Sequence, residues 1–208
     1  MTPPAPTPGR QRYVERSRDA MRAAILQAVE DLVRDRGWEA TRMADVAVRA
    51  GVSRQTLYQL YGSREALAQA YVLRETEQFL ESVLDAVRGR ADDPFAAIEA
   101  GLDAFLTGAA DNVMVKAILQ GPTGNELLPL VTTQALPVIQ VAEELLTGVI
   151  GELWPQFLAD DARLFAGSVV RLAISHVTTP TSSPETSVKD ISRLLIPFVS
   201  YALGPGGG

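Results

Sequence analysis

Between Ser53 and Tyr61 the chain carries Arg54, Gln55, Thr56, Tyr58 and Gln59, interrupted by the apolar Leu57. Read with helical periodicity over residues 54–60, Leu57 turns inward and the polar and aromatic groups crowd the start of a short helix. Their chemistry is that of nucleic-acid readout. An arginine fork matches the acceptors of guanine and a glutamine amide matches adenine. Threonine and tyrosine hydroxyls reach phosphate oxygens. The unpaired amides at a helix N-terminus favour an anion there, and Ser53 is positioned to cap that helix.

Such side chains read a groove only when a second helix holds theirs in place. The residues before them supply one. Thr41 is expected to N-cap a helix whose apolar face is Met43, Val46, Ala47 and Ala50. Gly51 ends it, because glycine enters the left-handed region without Cβ strain. Val52 packs the turn, and the small Ala47 lets the two helices cross closely. Residues 41–67 therefore read as a helix-turn-helix followed by the start of a further helix, rather than as a plain helical hairpin. Arg42 is a phosphate candidate.

This segment resembles the DNA-binding domain of TetR-family transcriptional regulators. The resemblance rests on Thr41, Asp45-Val46-Ala47, Ala50-Gly51-Val52-Ser53, Leu57-Tyr58 and Tyr61-Gly62-Ser63-Arg64-Glu65-Ala66-Leu67, in that order and within the first third of the chain. Leu60 departs from the usual His or Tyr, Tyr61 from Phe and Arg64 from Lys. Leu60 gets no DNA contact, whereas Tyr61 keeps a packing ring and Arg64 a cation beside the phosphates. The expected DNA-contacting set is Arg42, Ser53, Arg54, Gln55, Thr56, Tyr58, Gln59, Tyr61 and Arg64.

The net charge of −6 argues at first sight against a nucleic-acid partner. Its distribution reverses that argument. Residues 1–64 hold 11 arginines against 7 acids, net +4, and the remainder is net −10. A basic head on an acidic body fits one-ended DNA binding. The chain has no cysteine, so disulfide and thiolate chemistry are excluded. No secretory leader pattern and no uninterrupted apolar run of membrane-spanning length occurs, so a cytoplasmic protein is expected, with no membrane partner.

The expected fold is all-α, with about nine helices. Proline-rich residues 1–14 read as a disordered arm, in which Arg10 and Arg12 are candidates for a minor groove or for a solvated linker. Residues 15–62 read as the three-helix DNA-binding domain. Its first helix starts near Ser17, carries the stripe Met21, Ile25, Ala28, Val29, Leu32 and Val33, and stops at Gly37; Trp38 then packs on the core. Residues 63–203 read as a helical ligand-binding and dimerisation domain, and 204–208 as a flexible tail.

Within that second domain a long helix spans about 63–88 and links head to body. Asp93-Pro94 starts another, since proline suits a first turn. A shorter one covers 113–119 and ends at Gly121-Pro122. Residues 127–153 form one bent helix or two pieces, because Pro129 and Pro137 each remove an amide. Helices follow at 161–177 and 188–203, separated by a polar loop, with a kink near Pro197. There is no strand signal and no internal repeat.

An enzyme would need convergent ionisable groups, and the sequence offers none. His176 is the only histidine, with no metal-spaced cluster, P-loop or nucleophile elbow beside it. The acid pairs Asp92-Asp93 and Asp160-Asp161 precede helices, where they serve the helix dipole. No cofactor or metal is expected.

The body is expected to enclose an apolar chamber, with Phe79, Leu102, Phe105, Met114, Ile118, Trp154 and Phe165 as candidate lining residues, all of which are also ordinary core types. His176 is either a ligand contact or a satisfied core or interface histidine. The lack of buried charge points to a lipophilic effector: a fatty acid or other acyl chain, an alkane or a drug-like hydrophobe. The C-terminal part resembles actinobacterial TetR-like regulators of lipid or alkane genes. The family resemblance also implies a homodimer built on the last two long helices, for which Ala166, Val169, Val170, Leu194 and Phe198 are the candidates. Two-fold symmetry would let a pair of heads read two half-sites. The function expected is a ligand-responsive regulator, most simply a repressor bound to a palindromic double-stranded operator. A small-molecule carrier with a vestigial head and an all-helical enzyme are the rival readings.

Overall fold

The computed structural model describes residues 8–119 and 126–204, and among them every regular element is a helix. The order is α1 (Pro8–Arg36), α2 (Met43–Arg49), α3 (Arg54–Tyr61), α4 (Arg64–Arg88), α5 (Pro94–Asp111), α6 (Val113–Leu119), α7 (Leu128–Val131), α8 (Leu136–Leu153), α9 (Ala159–Thr178) and α10 (Pro184–Leu203). The single turn α7 makes the tally ten, among the described residues, against about nine expected. Two compact units result, one ending at Tyr71 and the other beginning at Val72.

In the first unit, α1 packs the expected stripe, with Ile25 and Val29 fully buried. Gly37, at φ +78°, ends it. α1 begins at Pro8 rather than near Ser17. Proline fits a first turn, and the Arg- and Glu-rich stretch after it has good helix propensity, so residues 8–14 are helical and not an irregular arm. Residues 1–7 lie outside the described set. The unit also runs past residue 62, the expected domain boundary, because Leu67, Ala68 and Tyr71 of α4 complete its core.

In the second unit, α8 packs along α9 and α5 packs against α10. Asp93 caps α5 by accepting from the amides of Phe95 and Ala96. The proline-bearing stretch resolves into two pieces: Pro129 and Pro137 each occupy the first turn of a helix, where a missing amide costs nothing. α10 begins at Pro184, not at 188. Ser183 caps it by accepting from Thr186 N, and Pro184 and Glu185 fill the first turn. That cap, proline and acid are a start signal inside the segment read as a loop. Pro197 lies inside α10. The expected end of α6 at Gly121-Pro122, and the tail from 205 on, fall outside the described residues.

Candidate nucleic-acid interface and ligand chamber

The turn between α2 and α3 is closed by backbone alone. Val52 N donates to Ala47 O at 3.0 Å and Gly51 N to Val48 O at 3.2 Å, with Gly51 at φ +66°. This paired 6→1 and 5→2 pattern needs a left-handed residue, which is why glycine stands there. Ser53 Oγ accepts from Thr56 N at 2.9 Å, and the two hydroxyls lie 2.8 Å apart. Ser53 and Thr56 thus serve the cap of α3. Thr41 does not cap α2: it is buried and its hydroxyl donates to Gly37 O at 2.8 Å, leaving Arg42 at the cap position with its side chain exposed. The carbonyl that ends α1 outcompetes the amides that begin α2 for the same hydroxyl.

On α3, Leu57 is 0% exposed and anchors the helix, while Arg54, Gln55, Tyr58 and Gln59 are exposed. These four occupy adjacent i, i+4 rows, so they share one face. Their side chains make no hydrogen bond or ion pair among the described residues. Tyr61 is half-buried, as a packing ring should be.

The head's other arginines divide by partner. Arg36 pairs with Asp45 at 2.7 Å, Arg49 with Asp35 at 3.1 Å, and Arg34 with Glu30. Arg64 is the residue whose placement differs most from expectation. Its Nη2 donates to Trp38 O at 2.8 Å and its Nε to Thr41 O at 3.2 Å. Its guanidinium lies 4.5 Å from the centroid of the Trp38 ring. The cation is turned into the head. Next to it, Ser63 accepts from Ala66 N at 3.1 Å, and the same hydroxyl is the main cause holding the exposed Glu65 carboxyl below its usual range.

The second unit contains a cavity of about 160 Å³. Phe79, Leu102, Phe105, Met114, Ile118, Trp154 and Phe165 all line it, drawn together from α4, α5, α6, the end of α8 and α9. Phe79 and Phe105 meet at 5.3 Å between ring centroids. Several further lining residues carry no signal of their own in the sequence, notably Thr76, Gly101, Val138, Ala142 and Ile174. Gly101 admits α4: a Cβ there would stand 2.7 Å from a Val87 methyl. The two lining hydroxyls are already spent, Thr76 on Val72 O and Thr178 on Ile174 O, each at 2.8–2.9 Å. No charged side chain lines the cavity. Trp154 Nε1 donates to Ala91 O at 3.0 Å, so its polar edge is satisfied as well.

His176 does not line it. Its Nδ1 lies 3.0 Å from Ser187 Oγ, which in turn lies 2.9 Å from Ser182 Oγ. The histidine ties the end of α9 to the start of α10 and is a satisfied structural group.

The candidate dimer residues also separate. Ala166 and Val170 are buried, and Val169 is half-buried with its side chain on the cavity. The small residues of α9 serve an approach within the chain, since a Cβ on Gly167 would stand 3.0 Å from the Glu143 carboxylate of α8. Leu194 does face outward, at 64% exposed, with Leu164 at 60% and Tyr201 at 76%; Phe198 is half-buried and meets the Tyr201 ring at a tilt, 6.5 Å between centroids. The outward apolar face of α9 and α10 is therefore Leu164, Leu194, Phe198 and Tyr201.

Among the described residues no helix is long and apolar enough to cross a membrane, and no cluster of three or more metal-binding side chains occurs.

Comparison with known proteins places this geometry. Residues 25–71 match the model of bacterial regulatory proteins of the tetR family, and residues 93–197 match a C-terminal domain model of the bacterial tetracyclin repressor. The HTH-type transcriptional regulator AlkX of Mycobacterium tuberculosis is 33% identical over 89% of this chain and 88% of its own. The HTH-type transcriptional activator FasR of Mycolicibacterium smegmatis is 35% identical over 47% of this chain and 46% of its own. The crystal structure of the TetR family repressor AlkX from Dietzia sp. strain DQ12-45-1b, implicated in biodegradation of n-alkanes, superposes with a TM-score of 0.77 at 32% identity. It covers 87% of this chain and 98% of that one. A helix-turn-helix with an exposed reading face, joined to a helical body of matching pattern and length, makes the chain a member of the TetR family, a DNA-binding transcriptional regulator and not an enzyme.

Proposed function

We propose that the chain is a repressor that binds a palindromic operator as a homodimer and leaves it when a lipophilic small molecule enters the body. The observation that carries the effector class is the chamber. It is walled by apolar side chains, and both of its hydroxyls are committed to backbone carbonyls. Burying an unpaired polar group costs several kcal/mol, so such a space selects hydrocarbon. An alkane, the chain of a fatty acid or a drug-like hydrophobe meets that requirement. The link of the Dietzia relative to n-alkane biodegradation favours the first.

The reading face is Arg54, Gln55, Tyr58 and Gln59, supported by Arg42 as a phosphate contact. One short helix touches few bases, which is the physical case for a two-fold pair of heads. Exposed Leu164, Leu194 and Tyr201, with half-buried Phe198, supply an apolar face for that pairing. A coupling of about 1–3 kcal/mol between chamber and head weakens operator binding from several-fold to roughly 100-fold. DNA binding also places its site of action with the chromosome, in the cytoplasm.

The test is a titration. An operator fragment is selected from genomic DNA by the protein, and its affinity is measured with n-alkanes and fatty acids of graded length. Release by members of one series supports the reading. If the compounds raise the melting temperature of the protein and leave operator affinity unchanged, the body stores ligand without signalling. Activation by FasR, a partial relative, makes a reporter assay the readout of sign.

A further inference from the structure

The first residue of α4 is a cation turned toward the loop between α1 and α2. Arg64 donates from Nη2 to Trp38 O at 2.8 Å and from Nε to Thr41 O at 3.2 Å, and its guanidinium covers the Trp38 ring at 4.5 Å. Both carbonyls belong to the loop between α1 and α2. Tyr71, also on α4, stacks on the same indole with the rings 2° from parallel and 6.5 Å apart. Arg64 and Tyr71 are seven residues, or two helical turns, apart on α4, so one face of that helix presents both to the indole. Trp38 is 2% exposed. The loop so held includes Thr41, whose hydroxyl is bound to Gly37 O, and leads directly into α2, which carries α3.

We propose that Arg64 is a positioning residue for DNA binding: it fastens the Trp38–Thr41 loop to α4 and so sets the pose of the reading helix, instead of contacting a phosphate. Arginine is required for this. A planar fork can satisfy two carbonyls while stacking on a ring, whereas a lysine ammonium on a flexible stem cannot do both. Carbonyl bonds to a cation and a cation–π contact are each worth enough that losing the fork should weaken operator binding about tenfold.

The experiment compares full-length wild type, Arg64→Lys and Arg64→Gln on a selected operator fragment across a salt series. Arg64→Lys and Arg64→Gln should both lose about tenfold in affinity, with a slope of log K against log salt equal to wild type. A phosphate contact gives the opposite: Arg64→Lys would bind like wild type, and Arg64→Gln would lose about 0.9 of the slope, the share of one phosphate. That result overturns the proposal, as does wild-type affinity in both variants. Should either variant misfold, a second measurement keeps the wild-type cation. Trp38 and Trp154 are the two tryptophans, so Trp154→Phe isolates the Trp38 emission. Emission unchanged on saturation with operator shows the guanidinium staying on the indole. A shift in intensity and maximum on DNA binding shows it leaving for the phosphates, and the proposal fails.

Discussion

In the head, the two turns of α3 bury Leu57 completely and leave Gln55 and Tyr58 exposed, and the side chains of α1 close over the core. In the body, seven aromatic and aliphatic groups from α4, α5, α6, the end of α8 and α9 turn toward one another around about 160 Å³ that they do not fill. At about 24 cal/mol per Å³ of unfilled volume, that space represents on the order of 4 kcal/mol of packing not realised. On the proposed function, the contrast is one of task. A reading face must be preorganised, since misplacement of a fork loses its bonds. An effector site must be incomplete, since only a cavity leaves a ligand something to add. The head spends its polar side chains outward and its backbone on a fixed turn; the body keeps polar groups out of its centre.

The comparison breaks most readily at Leu57. Leu57→Ala removes a fully buried anchor and should cost about 3 kcal/mol in a denaturant melt, with operator binding lost. Retained binding would mean that α3 does not depend on its core contact. Next in size is the chamber. Ala142→Phe fills it from α8, so a ligand present at 100 times its Kd, worth about 2.7 kcal/mol of added stability to wild type, should add nothing to the variant by calorimetry. An undiminished ligand effect would put the ligand elsewhere. Ser53→Ala should cost about 1 kcal/mol through the lost cap of α3, visible as a lower thermal midpoint and weaker operator binding.

The smallest effect is one that the two regions share. Glu65 in the head and Glu185 in the body are each held below the usual carboxylate value, chiefly by the hydroxyl of Ser63 and Ser183 respectively. A depressed folded value contributes stability above the ordinary pKa and loses it as pH falls through the lowered one. Ser63→Ala and Ser183→Ala should therefore each flatten the acid side of the stability–pH curve slightly. A curve that keeps its shape would show that the hydroxyls do not hold these carboxyls.

The features legible in the sequence are those fixed by local backbone demands. Gly51 had to be left-handed, Ser53 had to cap, and Leu57 had to turn inward, because each follows from neighbours within four residues. The aromatic and Met positions of the chamber were legible for a related reason, since apolar groups at helical spacing must face a common interior. What escaped depended on distant partners. The carbonyls that hold Arg64 lie 23 and 26 residues upstream. Thr41 is a local exception, since Gly37 lies only four residues upstream and its carbonyl competes with the first amides of α2 for one hydroxyl. His176 found Ser187 across a turn, which no periodicity announces. Ala166 and Val170, read as dimer candidates, are buried within the chain, because which helix covers an apolar face of α9 is set by distant partners and not by the spacing along it.

The central claim is that the exposed face of α3 reads DNA. Selection from a pool of genomic fragments by wild type and by Gln55→Ala/Tyr58→Ala, followed by sequencing, tests it most directly. Wild type should recover fragments sharing an inverted repeat, and the double variant, with stability unchanged within about 0.5 kcal/mol, should recover no shared sequence. Recovery of the same repeat by both proteins would contradict the account.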